Sequence, residues 1–161
     1  MIDVLFEQRI VQNTGLAAEI IWQVVYDAYE RRGRSDGVLF PLVFLILPLT
    51  FHQQTASSLA SKTQPGALYK ALAADREITV DLQRRMQGLS DRTLQALSIA
   101  FQTELLAFDP KEHQLVPLRK SSPVAHATDE VRLIFAAAKR IGQAFGEMSV
   151  VQIITALNVR F

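Results

Sequence analysis

The sequence predicts a mainly α-helical single domain over residues 1–161: a helical bundle with a winged-helix-like part, helix-turn-helix plus β-hairpin, at about 78–118. Three observations carry this reading. Apolar residues recur at helical spacing in two long stretches, Leu16, Ile20, Val24 and Ala28 near the start and Val131, Ile134, Ala138, Ile141 and Phe145 near the end. Between them lies an apolar run, Val38 to Leu49, that holds two prolines. After it, two short helical patterns around Gly88 lead into two apolar runs separated by a polar, Pro-containing turn.

A short helix over Asp3 to Val11 is expected first, without a cap. Asn13 is a good N-cap for the next helix, whose flank of Trp22, Val25 and Tyr29 predicts burial on more than one side. Gly33 offers a C-cap, with Arg31, Arg32 and Arg34 at the negative helix end. In the apolar run, Pro41 suits a first helical turn, so a helix is expected from about Pro41 to Phe51, kinked or shortened by Pro48. Gln53 to Gln64 reads as a loop around a short helix, and Gly66 to Ala74 as another helix. Thr79 is expected to cap a helix carrying Leu82 and Met86 that stops at Gly88; Ser90 is expected to cap its successor. Leu94, Leu97, Phe101 and Leu105 form that helix's apolar stripe. Leu105 to Phe108 and Gln114 to Leu118 are the hairpin strands, and Lys120 to Thr128 is a polar linker. Thr128 caps the strongly amphipathic helix that follows. Ser149 and Gln152 form a capping box for the last one, with Met148 and Ile153 as staple and Val150, Ile154 and Leu157 as core.

Composition narrows the function classes. The 161 residues are 49% hydrophobic and 20% charged, which excludes a disordered chain and suffices for a real core. Without cysteine there are no disulfides, Cys-based zinc sites or Cys nucleophiles. The run at Val38 to Leu49 is too short for a membrane span of roughly 20 apolar residues, and no signal peptide is visible, so the chain reads as cytoplasmic. His52, His113 and His126 lack metal-ligand spacing. No nucleophile elbow, Walker A loop or dinucleotide fingerprint occurs, so no catalytic residue, metal or cofactor is expected. A winged helix invites a nucleic-acid reading, for which Arg84, Arg85 and Arg92 are the candidate contacts, with Arg31, Arg32 and Arg34 as a second cluster. A formal net charge of +1, with Asp91 beside Arg92 and Asp109 and Glu112 beside Lys111, fits a protein-binding module better than an autonomous DNA reader.

Several segments together resemble a known family. Asn13 opening a long helix, the run Phe40-Pro41-Leu42-Val43-Phe44-Leu45-Ile46-Leu47-Pro48-Leu49-Thr50-Phe51-His52, and the terminal Ile154-Thr155-Ala156-Leu157-Asn158-Val159-Arg160 are similar to the middle component of bacterial three-component ABC systems. In that family an apolar stretch closes on Leu-Pro-Leu followed by His, here Leu47-Pro48-Leu49 and His52. Asn158 stands where a glycine is common, which bears on how the last helix ends. The resemblance implies an accessory subunit encoded between an ABC-type, SMC- or Rad50-like ATPase and an effector, in systems that act in bacterial conflict, including defence against phages. It implies a non-enzymatic adaptor with the ATPase and effector as partners, nucleic acid reached through the complex, and no membrane; a homodimer is compatible. Candidate partner contacts are Phe51, His52, Arg92 and Gln95, with core packing the competing reading of Phe51. The alternative is a DNA-binding winged-helix protein, a regulator or a DNA-contacting subunit.

Overall fold

A computed structural model describes residues 13–64, 66–121 and 128–161. The expected helix over Asp3 to Val11, most of the linker and His126 lie outside these residues. Eight α-helices occur among the described residues. They are α1 (Thr14–Arg31), α2 (Ile46–Thr50), α3 (Gln53–Ala60), α4 (Ala67–Ala74), α5 (Leu82–Gly88), α6 (Ser90–Gln102), α7 (Asp129–Glu147) and α8 (Val150–Leu157). Short 3-10 turns cover Phe40–Leu45 and Arg76–Ile78. Three short strands, β1 (Val38–Leu39), β2 (Leu106–Asp109) and β3 (Gln114–Pro117), form an antiparallel sheet in the order β1-β3-β2.

The long helices begin and end where their caps stand. Asn13 Oδ1 accepts the amide of Leu16 at 2.9 Å and starts α1. Gly33, at φ 65°, ends it: the amide of Arg34 reaches back to the carbonyl of Tyr29 and that of Gly33 to Glu30. Thr128 caps α7 through the amide of Val131, and the Ser149–Gln152 capping box starts α8 as expected. At the other end of α8, Asn158 adopts φ 53°, the left-handed conformation a glycine would favour. The non-glycine residue therefore ends the helix in the ordinary way.

α1 and α7 make the central pair, α6 packs against α1, and α3 against α7. Two glycines let the backbones of the pair approach. A Cβ at Gly142 would stand 2.7 Å from both Asp27 Cβ and the Val24 carbonyl oxygen, and one at Gly146 would stand 2.6 Å from Arg31 Cβ. Around this contact the apolar residues form a contiguous cluster that includes Ile20, Ile21, Trp22, Ile134, Ile141 and Phe145. The apolar face expected of α7 is buried, with Val131 half-buried at its edge.

The apolar run is core, but it is not one helix. Val38 and Leu39 pair with Leu115 and Gln114 as β1, the amide of Phe40 donates to the His113 carbonyl, a 3-10 turn follows, and only Ile46–Thr50 is α-helical. So uniform a run carries no periodicity that separates strand from helix. Pro48 falls in the first helical turn, where a missing N–H costs little. Leu45, Ile46, Leu47 and Leu49 are completely buried. Burial stabilises by about 1.5–3 kcal/mol per such side chain, more than the roughly 1 kcal/mol of a hydrogen bond. Packing therefore decides the conformation.

Other local expectations need correction. Thr79 does not cap α5; Asp81 holds that position at φ 58°, and the Thr79 hydroxyl donates to the Arg76 carbonyl. α5 stops at Gly88 as expected, but Leu89 alone separates it from α6. Ser90 is the first residue of α6, and its hydroxyl donates to the Gln87 carbonyl instead of capping. In α8 the buried residues are Ile153 and Leu157, while Val150 and Ile154 are half-buried.

Candidate partner-binding surface

The helix pair and hairpin expected at 78–118 are present. α5 and α6 meet at Leu89, whose amide donates to the Arg85 carbonyl while its own carbonyl accepts from Thr93. A three-residue turn then leads from α6 to β2, and β2 and β3 pair from Leu106↔Pro117 to Asp109↔Gln114. The hairpin turn is tight. Asp109 Oδ1 accepts the Lys111 amide at 2.9 Å, and His113 takes φ 54°.

α6 is rotated from the expected stripe. Thr93, Ala96, Leu97 and Ala100 face inward, while Leu94 and Phe101, 49% and 38% exposed, face outward. Ala96 and Ala100 are completely buried on the inward face, and α6 packs against α1, so packing sets the helix phase. The Thr93, Ala96, Leu97, Ala100 spacing was the overlooked signal. Beyond α6, Phe108 on β2 is also exposed and meets Phe40 edge to face at 5.8 Å between ring centres; Phe40 in turn meets Phe44 at 5.6 Å.

The candidate contact residues are distributed as follows. Phe51 is 3% exposed and belongs to the core. His52 is half-buried in extended backbone at the joint between α2 and α3, directly before Gln53, with Nδ1 2.8 Å from the Thr55 hydroxyl. Arg92 and Gln95 lie together on α6. Gln95 is exposed, and Arg92 leans toward α1, its Nη1 3.4 Å from the Thr14 hydroxyl. Arg84 is highly exposed and pairs with Asp81 at 3.3 Å. Arg85 turns inward. Its Nη1 donates to the Pro48 carbonyl at 2.7 Å and its Nη2 to the Ile78 carbonyl at 3.1 Å. It therefore ties α5 to the Leu47-Pro48-Leu49 motif.

The Arg31, Arg32 and Arg34 cluster is engaged within the chain. Arg31 Nη2 lies 2.6 Å from Glu147 Oε1, and Arg34 Nε lies 2.9 Å from Glu30 Oε1. Arg32 donates to the carbonyls of Phe145, Gly146, Met148 and Gly37. Asp27, at the α1–α7 contact, has its carboxyl pushed above the ordinary value by burial, against the opposing effects of a hydrogen bond from Gln23 and the nearby cations Lys139, Arg140 and Arg31. Among the described residues no group of three or more His, Asp or Glu could hold a metal ion, and no helix is long and apolar enough to cross a membrane.

The chain matches the family described as ABC-three component (ABC-3C) system Middle Component 3 over residues 2–161. Comparisons with curated proteins and with solved structures give no match. The family match agrees with the segment resemblance carried by Phe44 to His52 and by the chain's last helix. It extends over all but the first residue, so the chain belongs to the ABC-3C Middle Component 3 family and is one component of a system with several.

Proposed function

We propose that this component is a non-enzymatic adaptor that couples its system's SMC- or Rad50-like ATPase to an effector in bacterial defence or conflict. The observation that carries this reading is the outward face of α6, where Leu94 and Phe101 stand exposed. A helix that reads DNA needs cations and hydrogen-bonding side chains on that face. Leu94 and Phe101 stand two turns apart on one face of α6, and apolar side chains exposed together on one face suit a protein partner. The α5–α6 pair, the hairpin and the β1-β3-β2 order support a winged-helix-like reading of this part, within a single folded domain.

The test is co-expression with the other components of the system. The wild-type chain is expected to co-purify with at least one of them. The double variant Leu94→Asp, Phe101→Asp is expected to weaken that association at least tenfold without changing the melting temperature of the isolated chain. Absence of any complex with the wild type would overturn the adaptor role. A double variant that co-purifies undiminished would overturn the choice of surface.

A second reading, direct DNA binding, draws on Arg84, whose side chain is 81% exposed, and on Arg92. It predicts binding of the isolated chain to duplex DNA with a steep salt dependence that Arg92→Ala or Arg84→Ala reduces. The adaptor reading predicts no such binding by the chain alone.

A further inference from the structure

A cleft of about 110 Å³ lies between the second half of α1 and the residues that follow β3. Its walls are fixed by bonds within the chain. Trp22 Nε1 donates to the Arg119 carbonyl at 3.2 Å, and Arg119 Nη2 donates to the Thr103 carbonyl at 2.7 Å. The Trp22 ring also stacks on Tyr26, with 5.1 Å between ring centres. Tyr26, Tyr29 and Leu118 supply apolar surface, and Leu118 is 54% exposed. The charged residues at the cleft are Arg34, Arg119 and Lys120 against Glu30. Glu30 is already held by Arg34, with 2.9 Å between Oε1 and Nε. Arg119 and Lys120 are exposed, and among the described residues neither has a carboxylate within ion-pair distance. In a chain of formal net charge +1, this is a local excess of positive charge beside exposed apolar surface.

We propose that this cleft receives an acidic segment of a protein partner. One apolar side chain of that segment lies against Tyr26, Tyr29 and Leu118, and its flanking carboxylates meet Arg119 and Lys120. Aromatic rings and arginine are side chains that protein interfaces favour, and walls already fixed keep the ordering cost of binding low. A nucleic acid fits less well. Its phosphates need successive cations along a track, whereas here the cations gather at one small cleft with Glu30 among them. No residue of the outward α6 face takes part, so this site and that surface are tested independently.

The experiment titrates the full chain with the capped peptide Glu-Glu-Leu-Glu-Glu. It is read by the fluorescence of Trp22, the chain's single tryptophan, and by NMR at the amides of Leu118, Arg119 and Lys120. Saturable changes at these positions are expected. Binding of Lys-Lys-Leu-Lys-Lys and of Glu-Glu-Ser-Glu-Glu is expected to be at least tenfold weaker. The double variant Leu118→Ser, Lys120→Glu is expected to weaken the acidic peptide at least tenfold. Its melting temperature stays unchanged, because both side chains are exposed and the bond from the Leu118 amide to the Leu105 carbonyl is kept. With the wild-type chain alone, an acidic peptide that causes no saturable change, or a basic one that binds as well, would overturn the site. A serine peptide as tight as the leucine one would overturn the apolar anchor, and undiminished binding by the double variant would overturn the location. A short oligothymidylate that binds more tightly than the acidic peptide, with shifts at the same amides, would overturn the protein segment in favour of a nucleic acid.

Discussion

The guanidinium of Arg32, just past the end of α1, donates to the carbonyl oxygen of Phe145 in the last turn of α7. The same side chain reaches the carbonyls of Gly146, Met148 and Gly37. Helix ends leave carbonyls without intrahelical partners, and one cation here serves the end of α7 and the entry to β1. Arg32→Met keeps the aliphatic stem and removes every donor. It is expected to lower unfolding stability by about 2–3 kcal/mol, on the scale of hydrogen bonds from charged groups. Urea denaturation with an unchanged m-value checks it.

Two glycine substitutions should move stability in opposite directions. At Gly142 a Cβ would stand 2.7 Å from the Val24 carbonyl oxygen and from Asp27 Cβ, so Gly142→Ala forces α7 off α1 and is expected to cost about 1–3 kcal/mol. At Gly88 nothing lies within 4 Å, and its backbone is helical. Gly88→Ala is expected to stabilise by about 0.4–1 kcal/mol, because alanine loses less backbone entropy on folding. Thermal melts of both variants beside the wild type decide it.

Burial raises the pKa of Asp27 above 3.8, so the folded chain holds this proton more tightly than the unfolded chain does. Its contribution to stability is most favourable below 3.8 and is lost as pH rises through the folded value. Asp27→Asn removes the buried charge and leaves an oxygen for Gln23 to donate to. The variant is expected to be more stable than the wild type at pH 7, with the difference shrinking as pH falls through the folded pKa. Urea midpoints measured from pH 7 down to pH 3 read this directly.

Asn158 ends α8 in a left-handed conformation at φ 53°. Asn158→Ala is expected to cost about 1 kcal/mol, since a Cβ-bearing residue without a short polar side chain is strained there. Asn158→Gly is expected to stay within about 0.5 kcal/mol of the wild type. Chemical denaturation of the pair distinguishes the conformational effect from loss of a side-chain contact.

Much was legible wherever one local interaction decides the outcome. Asn13, Thr128 and the Ser149–Gln152 box mark helix starts because each satisfies backbone donors within three residues of itself. The hairpin at Leu106–Asp109 and Gln114–Pro117 was marked by its turn chemistry, and the α7 face by regular spacing over nearly its whole length. The Val38 to Leu49 run and family membership were likewise carried by the sequence: the first as core rather than membrane, the second by its Leu-Pro-Leu motif and terminal helix.

The tertiary structure decided what depends on residues far apart in the chain. Val38 and Leu39 are strand because β3 lies beside them, and no local pattern distinguishes them from the apolar residues that follow. Leu94 and Phe101 face outward because the face of Thr93, Ala96, Leu97 and Ala100 is buried where α6 packs on the rest of the chain, α1 included, so long-range packing set the phase of a helix whose apolar residues fit two faces. Arg32 and Arg85, which the sequence offers as candidate nucleic-acid contacts, are held by carbonyls on α7 and α2. The sequence determined where helices begin and that the chain has a large core. Packing determined which side of α6 is left exposed and which arginines are drawn inward.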